Sequence, residues 1–89
     1  MTGPLAQFEA GRRVDQWLGE MYRADVLGVG RSGDVTRRAR DTIAADPLML
    51  EYARSKVLTL EKTCRARPNA HVEAKQLEYL RKLLAEEPA

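Results

Sequence analysis

The fold of this chain follows from residues 46–87, DPLMLEYARSKVLTLEKTCRARPNAHVEAKQLEYLRKLLAEE. Asp46-Pro47 is typical of a helix start, because an aspartate can cap the helix and proline suits the first helical position. Asn69 predicts a second start as its cap. Each segment carries an apolar stripe that must pack against another surface. The stretch therefore predicts an antiparallel helical hairpin, with helices over residues 46–65 and 69–87.

A first helix is predicted near the amino terminus. Pro4 suits a first helical position, and apolar residues then recur every three or four positions as far as Met21. This periodicity predicts a helix over residues 4–25, with Trp17 as its largest apolar anchor. Three glycines fall within residues 26–33, which predicts a turn.

A short second helix is predicted over residues 34–45, capped by Ser32 or Asp34. The whole chain, residues 1–89, is then one domain. Its fold class is all-α, with about four helices in orthogonal or bundle packing. A chain of this length has a thin core, so we expect it to gain stability from self-association as a homo-oligomer or from a partner.

The glycines invite comparison with nucleotide-binding loops. Gly28, Gly30 and Gly33 match the spacing G-x-G-x-x-G. That motif binds dinucleotides only between a buried strand and a helix, within a βαβ unit. An amphipathic helix is predicted before these glycines, so the spacing indicates a turn.

Catalytic or metal chemistry needs several reactive side chains together, and here the candidates are isolated. His71 and Cys64 are the chain's single histidine and cysteine, and the acidic residues alternate with Lys and Arg along the helices. Cys64 also falls on the apolar stripe of its helix, as expected of a buried thiol. The sequence therefore predicts a protein that is not an enzyme, with no catalytic residue, no metal site, no cofactor and no small-molecule substrate.

Location follows from what the sequence lacks. No apolar run approaches the length of a membrane span, and the amino terminus lacks the pattern of a secretory signal. We expect a cytoplasmic protein without a membrane partner.

The basic charge is concentrated in two blocks. The formal net charge is +2, and the segment sums are −1 for residues 1–22, +3 for 23–40, −3 for 41–53, +4 for 54–67 and −1 for 68–89. Such a small total does not by itself imply a polyanionic partner, so the distribution carries the argument.

The first basic block predicts contacts with nucleic acid. Arginines flanked by Ser32 and Thr36 are residue types that contact phosphates and base edges when a short helix enters the major groove of DNA. A solvated helix face is the other interpretation of the same pattern. The predicted residues for binding duplex DNA are Arg31, Arg37, Arg38 and Arg40.

The last helix predicts contacts with protein. Its apolar residues cover more of the surface than a single neighbouring helix would bury, since Val72, Tyr79 and Leu83 lie off the main seam. A second neighbour is expected, either the first helix of the same chain or a helix of another subunit. If neither covers these three residues, they form an exposed patch for a different protein partner. The predicted protein-interaction residues are Val72, Leu77, Tyr79, Leu80, Leu83 and Leu84.

The order of these elements resembles phage small terminase subunits, which serve in DNA packaging. The resemblance spans residues 14–86 and includes the Arg-bearing short helix, the segment ADPLMLEYA at 45–53 and the leucine-rich last helix. In that family a helical amino-terminal region binds DNA, a helical hairpin assembles rings, and the large packaging subunit is the partner. The resemblance implies that the four arginines contact DNA and that residues 47–84 form the oligomerisation element.

Two functions therefore stand as hypotheses. One is a self-associating helical module that binds nucleic acid through its Arg-rich short helix. The other is an adaptor or inhibitor of phage or mobile-element origin that occupies a host protein surface. A helical subunit of a larger assembly, without activity of its own, is a third.

Overall fold

The computed structural model describes residues 3–84, which form four α-helices and no strand. The all-α fold class is thereby confirmed. The helices are α1 (Pro4–Tyr22), α2 (Ser32–Ala44), α3 (Pro47–Ala66) and α4 (His71–Leu84). The predicted fourth helix extended to residue 87, and its last three positions lie outside the described residues.

The connection between α1 and α2 is tighter than the sequence predicted. A π-helical turn, Arg23–Leu27, continues α1 beyond residue 25, and Gly28 then ends it with φ = 70°. Gly30 also has a positive φ, 86°. These left-handed conformations favour glycine, which has no Cβ to clash with the backbone. The turn proper is therefore residues 28–31, and it brings α2 back against α1.

The start of α2 corrects the prediction of a side-chain cap. Ser32 is the first helical residue and Arg31 occupies the N-cap position, where no side chain makes a capping hydrogen bond. The carbonyl of Arg31 accepts the first helical hydrogen bond, from the Val35 N–H at 3.1 Å. Asp34 lies within the first turn, where the positive end of the helix dipole stabilises a carboxylate.

The starts of α3 and α4 differ from each other. Asp46 is the N-cap of α3, as predicted, and its carboxylate accepts the N–H of Leu48 at 3.0 Å. Asn69 does not hold the corresponding position in α4. The carbonyl of Ala70 accepts the N–H of Ala74 at 2.9 Å, which places Ala70 at the N-cap and starts the helix one residue later.

All four helices contribute to one apolar core. The largest fully buried side chains are Leu18, Ile43, Met49, Leu80 and Val14. Trp17 is only half-buried and packs against the edge of the core, so Leu18 is the central anchor of α1. The prediction that Trp17 is the main anchor was wrong, because the Trp17 side chain lies at the boundary between the core and solvent.

A close approach joins α1 to α3. The ring of Tyr52 lies against Gly11, where an added Cβ would stand 2.8 Å from the Tyr52 Cε2 atom. The Tyr52 hydroxyl donates to Asp15 at 3.1 Å, and the Lys56 ammonium donates to the same carboxylate at 2.7 Å. Burial and the neighbouring Asp15 charge raise the pKa of Tyr52. Gly11 thus allows the contact that the hydrogen bonds then hold.

A second cluster of the same composition joins the π-helical turn to α4. The Tyr79 hydroxyl donates to Asp25 at 2.7 Å, and the Lys75 ammonium donates to the same oxygen at 3.1 Å. Burial, followed by the hydrogen bond to Asp25, raises the pKa of Tyr79. The hydrogen bonds from Tyr79 and Lys75 lower the pKa of Asp25. These hydrogen bonds link the π-helical turn to α4.

Candidate functional site

The four arginines predicted to bind DNA do not share one face of α2. Successive helical residues are rotated by about 100°, so Arg38 and Arg40 lie roughly 160° apart around the axis. Arg37 is exposed and pairs with Asp34 at 3.2 Å. Arg31 is exposed just before the helix, whereas Arg40 is half-buried. The structure therefore separates a set that the sequence had grouped.

Arg38 instead lies in a groove between α1 and α2. The groove has a volume of about 480 Å³. Its α1 side is formed by positions spaced three and four residues apart, which share one face of the helix. We call it the α1–α2 groove, and its lining residues are Arg13, Gln16, Trp17, Glu20, Val35 and Arg38.

Trp17 and Arg38 are in contact within this groove. The guanidinium carbon of Arg38 lies 5.7 Å from the centroid of the Trp17 ring, within the range of a cation–π interaction. Val35 packs against the core beside them. The groove thus has an aromatic wall with a cation over it.

Two guanidinium groups of the groove have no acidic partner. Arg13 and Arg38 form no ion pair within residues 3–84, although each is exposed. By contrast, Arg12, next to Arg13 on α1, pairs with Glu9 at 3.2 Å. Uncompensated guanidinium groups on either side of a groove favour an anionic ligand, because arginine offers several donors in a planar fork.

One acidic residue also lines the groove. Glu20 has an exposed carboxylate, and its nearest cation is Arg23, at 4.0 Å. An ion pair at this distance on the surface is weak. The groove therefore offers donors from Arg13 and Arg38, an amide donor and acceptor from Gln16, and one carboxylate acceptor from Glu20.

The predicted protein-interaction residues lie mostly inside the chain. Tyr79 is 2% exposed and Leu83 is 6% exposed, so the prediction that they form an exposed patch was wrong. They are covered because α4 packs against α1, α2 and α3 together. Leu77 and Leu80 are also buried, and Leu84 is half-buried against the core. Val72 alone of this set is largely exposed, at 51%.

Other apolar side chains are exposed instead. Leu5 and Phe8, three residues apart at the start of α1, are 74% and 67% exposed. Leu58 is exposed on α3. The π-helical turn adds Val26 and Leu27, and the glycine turn after it adds Val29.

The residue types that ligate metals are dispersed in the described part of the chain. No group of three or more His, Cys, Asp and Glu residues within 3–84 is arranged to hold a metal ion. His71 is exposed at the first position of α4, and Cys64 is half-buried on α3. Among the described helices, none combines the length and apolar character needed to cross a bilayer.

Comparison with protein-family models, with curated proteins and with solved structures gives no match to this chain.

Of the residues that line the α1–α2 groove, sequence reasoning had named Arg38 as a candidate but not Arg13, Gln16 or Glu20. These three share the i, i+3, i+7 spacing of one helical face, with Trp17 beside them. That spacing was a usable signal for a surface groove. Polar residues on the same helical face as a tryptophan indicate that this face lies at the border of the core. Their proximity to Arg38 depends on how α1 packs against α2, which a single sequence does not specify.

Proposed function

We propose that this protein is a small non-enzymatic module that binds nucleic acid through the α1–α2 groove. The observation that carries the proposal is that Arg13 and Arg38, neither with an acidic partner in the described residues, line the same groove as Trp17. Guanidinium groups contact phosphates, and an aromatic ring can contact a base.

The surface around the groove supports the same function. Arg31 is exposed at the end of the glycine turn and also has no acidic partner within residues 3–84. Arg37 is exposed nearby on α2, where a surface pair with Asp34 holds it weakly. A phosphate can replace such a partner, so these arginines extend the proposed contact beyond the groove.

The experiment is a titration of labelled DNA, single-stranded and duplex, at low and moderate salt. Arg13→Ala/Arg38→Ala should weaken binding by tenfold or more, because two charged contacts are removed. The matched control is Lys62→Ala/Arg65→Ala, which removes the same charge from exposed positions on α3. We expect little effect from the control. Absence of salt-dependent binding at micromolar protein, or equal losses in both variants, would contradict the proposal.

Self-association is the second candidate function. It was predicted to use the helical hairpin, but the exposed apolar side chains favour the start of α1, where Leu5 and Phe8 lie on adjacent turns. Phe8 also borders a small groove of about 250 Å³ beside Tyr52. We propose that a second copy of the chain covers this surface. The resemblance to phage small terminase subunits, and a cytoplasmic location, stay predictions.

Light scattering over a dilution series tests this second candidate. We expect a mass above that of one chain that falls towards one chain in Leu5→Ser/Phe8→Ser. Leu58→Ser is the matched control, since it removes an exposed leucine from α3. A constant mass of one chain at every concentration would contradict self-association.

A further inference from the structure

The composition of the α1–α2 groove is more specific than phosphate binding requires. A surface that contacts only phosphates is best served by donors, yet Glu20 places an exposed carboxylate in the same groove as Arg13 and Arg38. A carboxylate repels phosphate and accepts hydrogen bonds from amines. The groove therefore has side chains that can contact a nucleic-acid base as well as side chains that can contact the phosphate backbone.

The aromatic wall suits a single unpaired base. Trp17 is half-buried, so its ring is held against the core while one side borders the groove. Arg38 covers the ring at 5.7 Å, and its exposed guanidinium can move onto a stacked base or a phosphate. Base–aromatic stacking of this kind is the usual basis of single-strand recognition. A volume of about 480 Å³ accommodates one base.

The polar residues distinguish among bases. The Watson–Crick edge of guanine presents two adjacent donors, N1–H and N2–H, that one carboxylate can accept together. Glu20 supplies that carboxylate, the Gln16 amide supplies a donor for the guanine O6, and Arg13 supplies donors for a flanking phosphate. Thymine presents a single donor on the same edge. In a duplex this edge is already paired, so only an unpaired base can use it.

We propose that the α1–α2 groove binds single-stranded nucleic acid by taking one unpaired guanine, stacked on Trp17 and hydrogen-bonded to Glu20. This inference rests on the nucleic-acid function proposed above and names the ligand of that same groove.

Trp17 is the single tryptophan of the chain, so its fluorescence reports on the groove directly. The probes are a thymidine oligonucleotide, the same strand with one central dG, the duplex of that strand, and GMP alone. We expect the dG strand to quench Trp17 and to bind about tenfold more tightly than the thymidine strand, which is the discrimination expected of a bidentate contact. The duplex should lose this preference.

Glu20→Gln is the decisive variant, because it keeps the shape of an exposed side chain and removes the charge. We expect it to bind both strands with similar affinity, with its helical circular dichroism unchanged. The companion variant Arg13→Gln removes a positive charge from the same groove. It should weaken the binding of both strands while retaining the preference for dG.

The outcomes distinguish a failure of the guanine inference from a failure of the proposed nucleic-acid binding. Salt-dependent binding of every strand without a guanine preference, or a preference that survives Glu20→Gln, would overturn the inference alone. GMP binding as tightly as the dG strand would identify a free nucleotide as the ligand and overturn the single-strand claim. No binding of any probe would overturn both proposals.

Discussion

The Tyr79 hydroxyl donates a 2.7 Å hydrogen bond to the carboxylate of Asp25, although 54 positions separate the two residues in sequence. Asp25 lies in the π-helical turn after α1, and Tyr79 lies on α4. Tyr52 and Asp15 repeat the relationship between α3 and α1. In both clusters a lysine four residues from the tyrosine donates to the same carboxylate. Polar contacts at the edge of the core thus orient α1 against two other helices.

Tyr79→Phe should lower the free energy of unfolding by about 1 kcal/mol at neutral pH, because it removes one hydrogen bond without creating a large cavity. The pKa of Asp25 is held below its ordinary value of 3.8 by Tyr79 and Lys75. The contribution of this carboxylate is therefore present above about pH 4 and is lost as the pH falls through the lowered pKa. Urea unfolding of both proteins from neutral to acidic pH measures this, and a difference that grows on acidification would contradict it.

Alkaline pH should act through Tyr79 in the opposite direction. Its pKa is raised above the ordinary value of 10.0, so the folded state favours the neutral hydroxyl. The stability this contributes is present below pH 10 and is lost as the pH rises towards the raised pKa. We expect the phenolate absorbance of Tyr79 to appear late in a pH titration. Because the pKa of Tyr52 is also raised, Tyr79→Phe should reduce the late component rather than abolish it. A late component of equal size in the variant would show that Tyr79 is not its source.

Gly11 and Gly19 form a matched pair on α1. Gly11→Ala should destabilise the protein by about 1 to 3 kcal/mol, because the new Cβ would stand 2.8 Å from a Tyr52 ring whose hydroxyl is tied to Asp15. Gly19 has open space where its Cβ would lie. Gly19→Ala should therefore stabilise by about 0.5 to 1 kcal/mol through helix propensity. Thermal unfolding of the two variants checks both signs, and equal shifts would argue against the close approach.

The cap of α3 gives a further test. Asp46→Ala should cost about 1 kcal/mol, since the Leu48 N–H loses its partner at the helix start. Asp34→Ala is the control, because Asp34 makes no capping hydrogen bond, only a surface pair with Arg37 and a solvent-screened interaction with the dipole of α2, and it should therefore cost less than Asp46→Ala. Chemical denaturation resolves this difference. A cost at Asp34 equal to that at Asp46 would contradict the capping assignment.

Helix number and class could be predicted from the sequence because they depend on local periodicity. The cap of α3 could also be predicted, because it depends only on the adjacent residues Asp46 and Pro47. The start of α2 was harder, since Ser32 and Asp34 are both good caps and the helix begins at Ser32 itself. Glycine conformation at residues 28–30 decided that boundary, and it depends on how the two helices meet.

The faces of α4 could not be assigned from its sequence alone. Tyr79 lies off the leucine seam, which favoured an exposed position, yet three neighbouring helices bury it. A stripe shows which residues are apolar and not how many neighbours cover them. The α1–α2 groove could not be predicted for the same reason. Arg13 and Arg38 are 25 positions apart in sequence, and they line one groove only because α1 packs against α2.

The most direct test of the central claim is the dependence of single-strand affinity on salt concentration. If Arg13 and Arg38 each contact a phosphate, Arg13→Ala/Arg38→Ala should reduce the slope of log affinity against log salt by about 1.4, while Lys62→Ala/Arg65→Ala leaves it unchanged. An unchanged slope in the groove variant, or the same reduction in both variants, would contradict the assignment of the α1–α2 groove as the nucleic-acid contact.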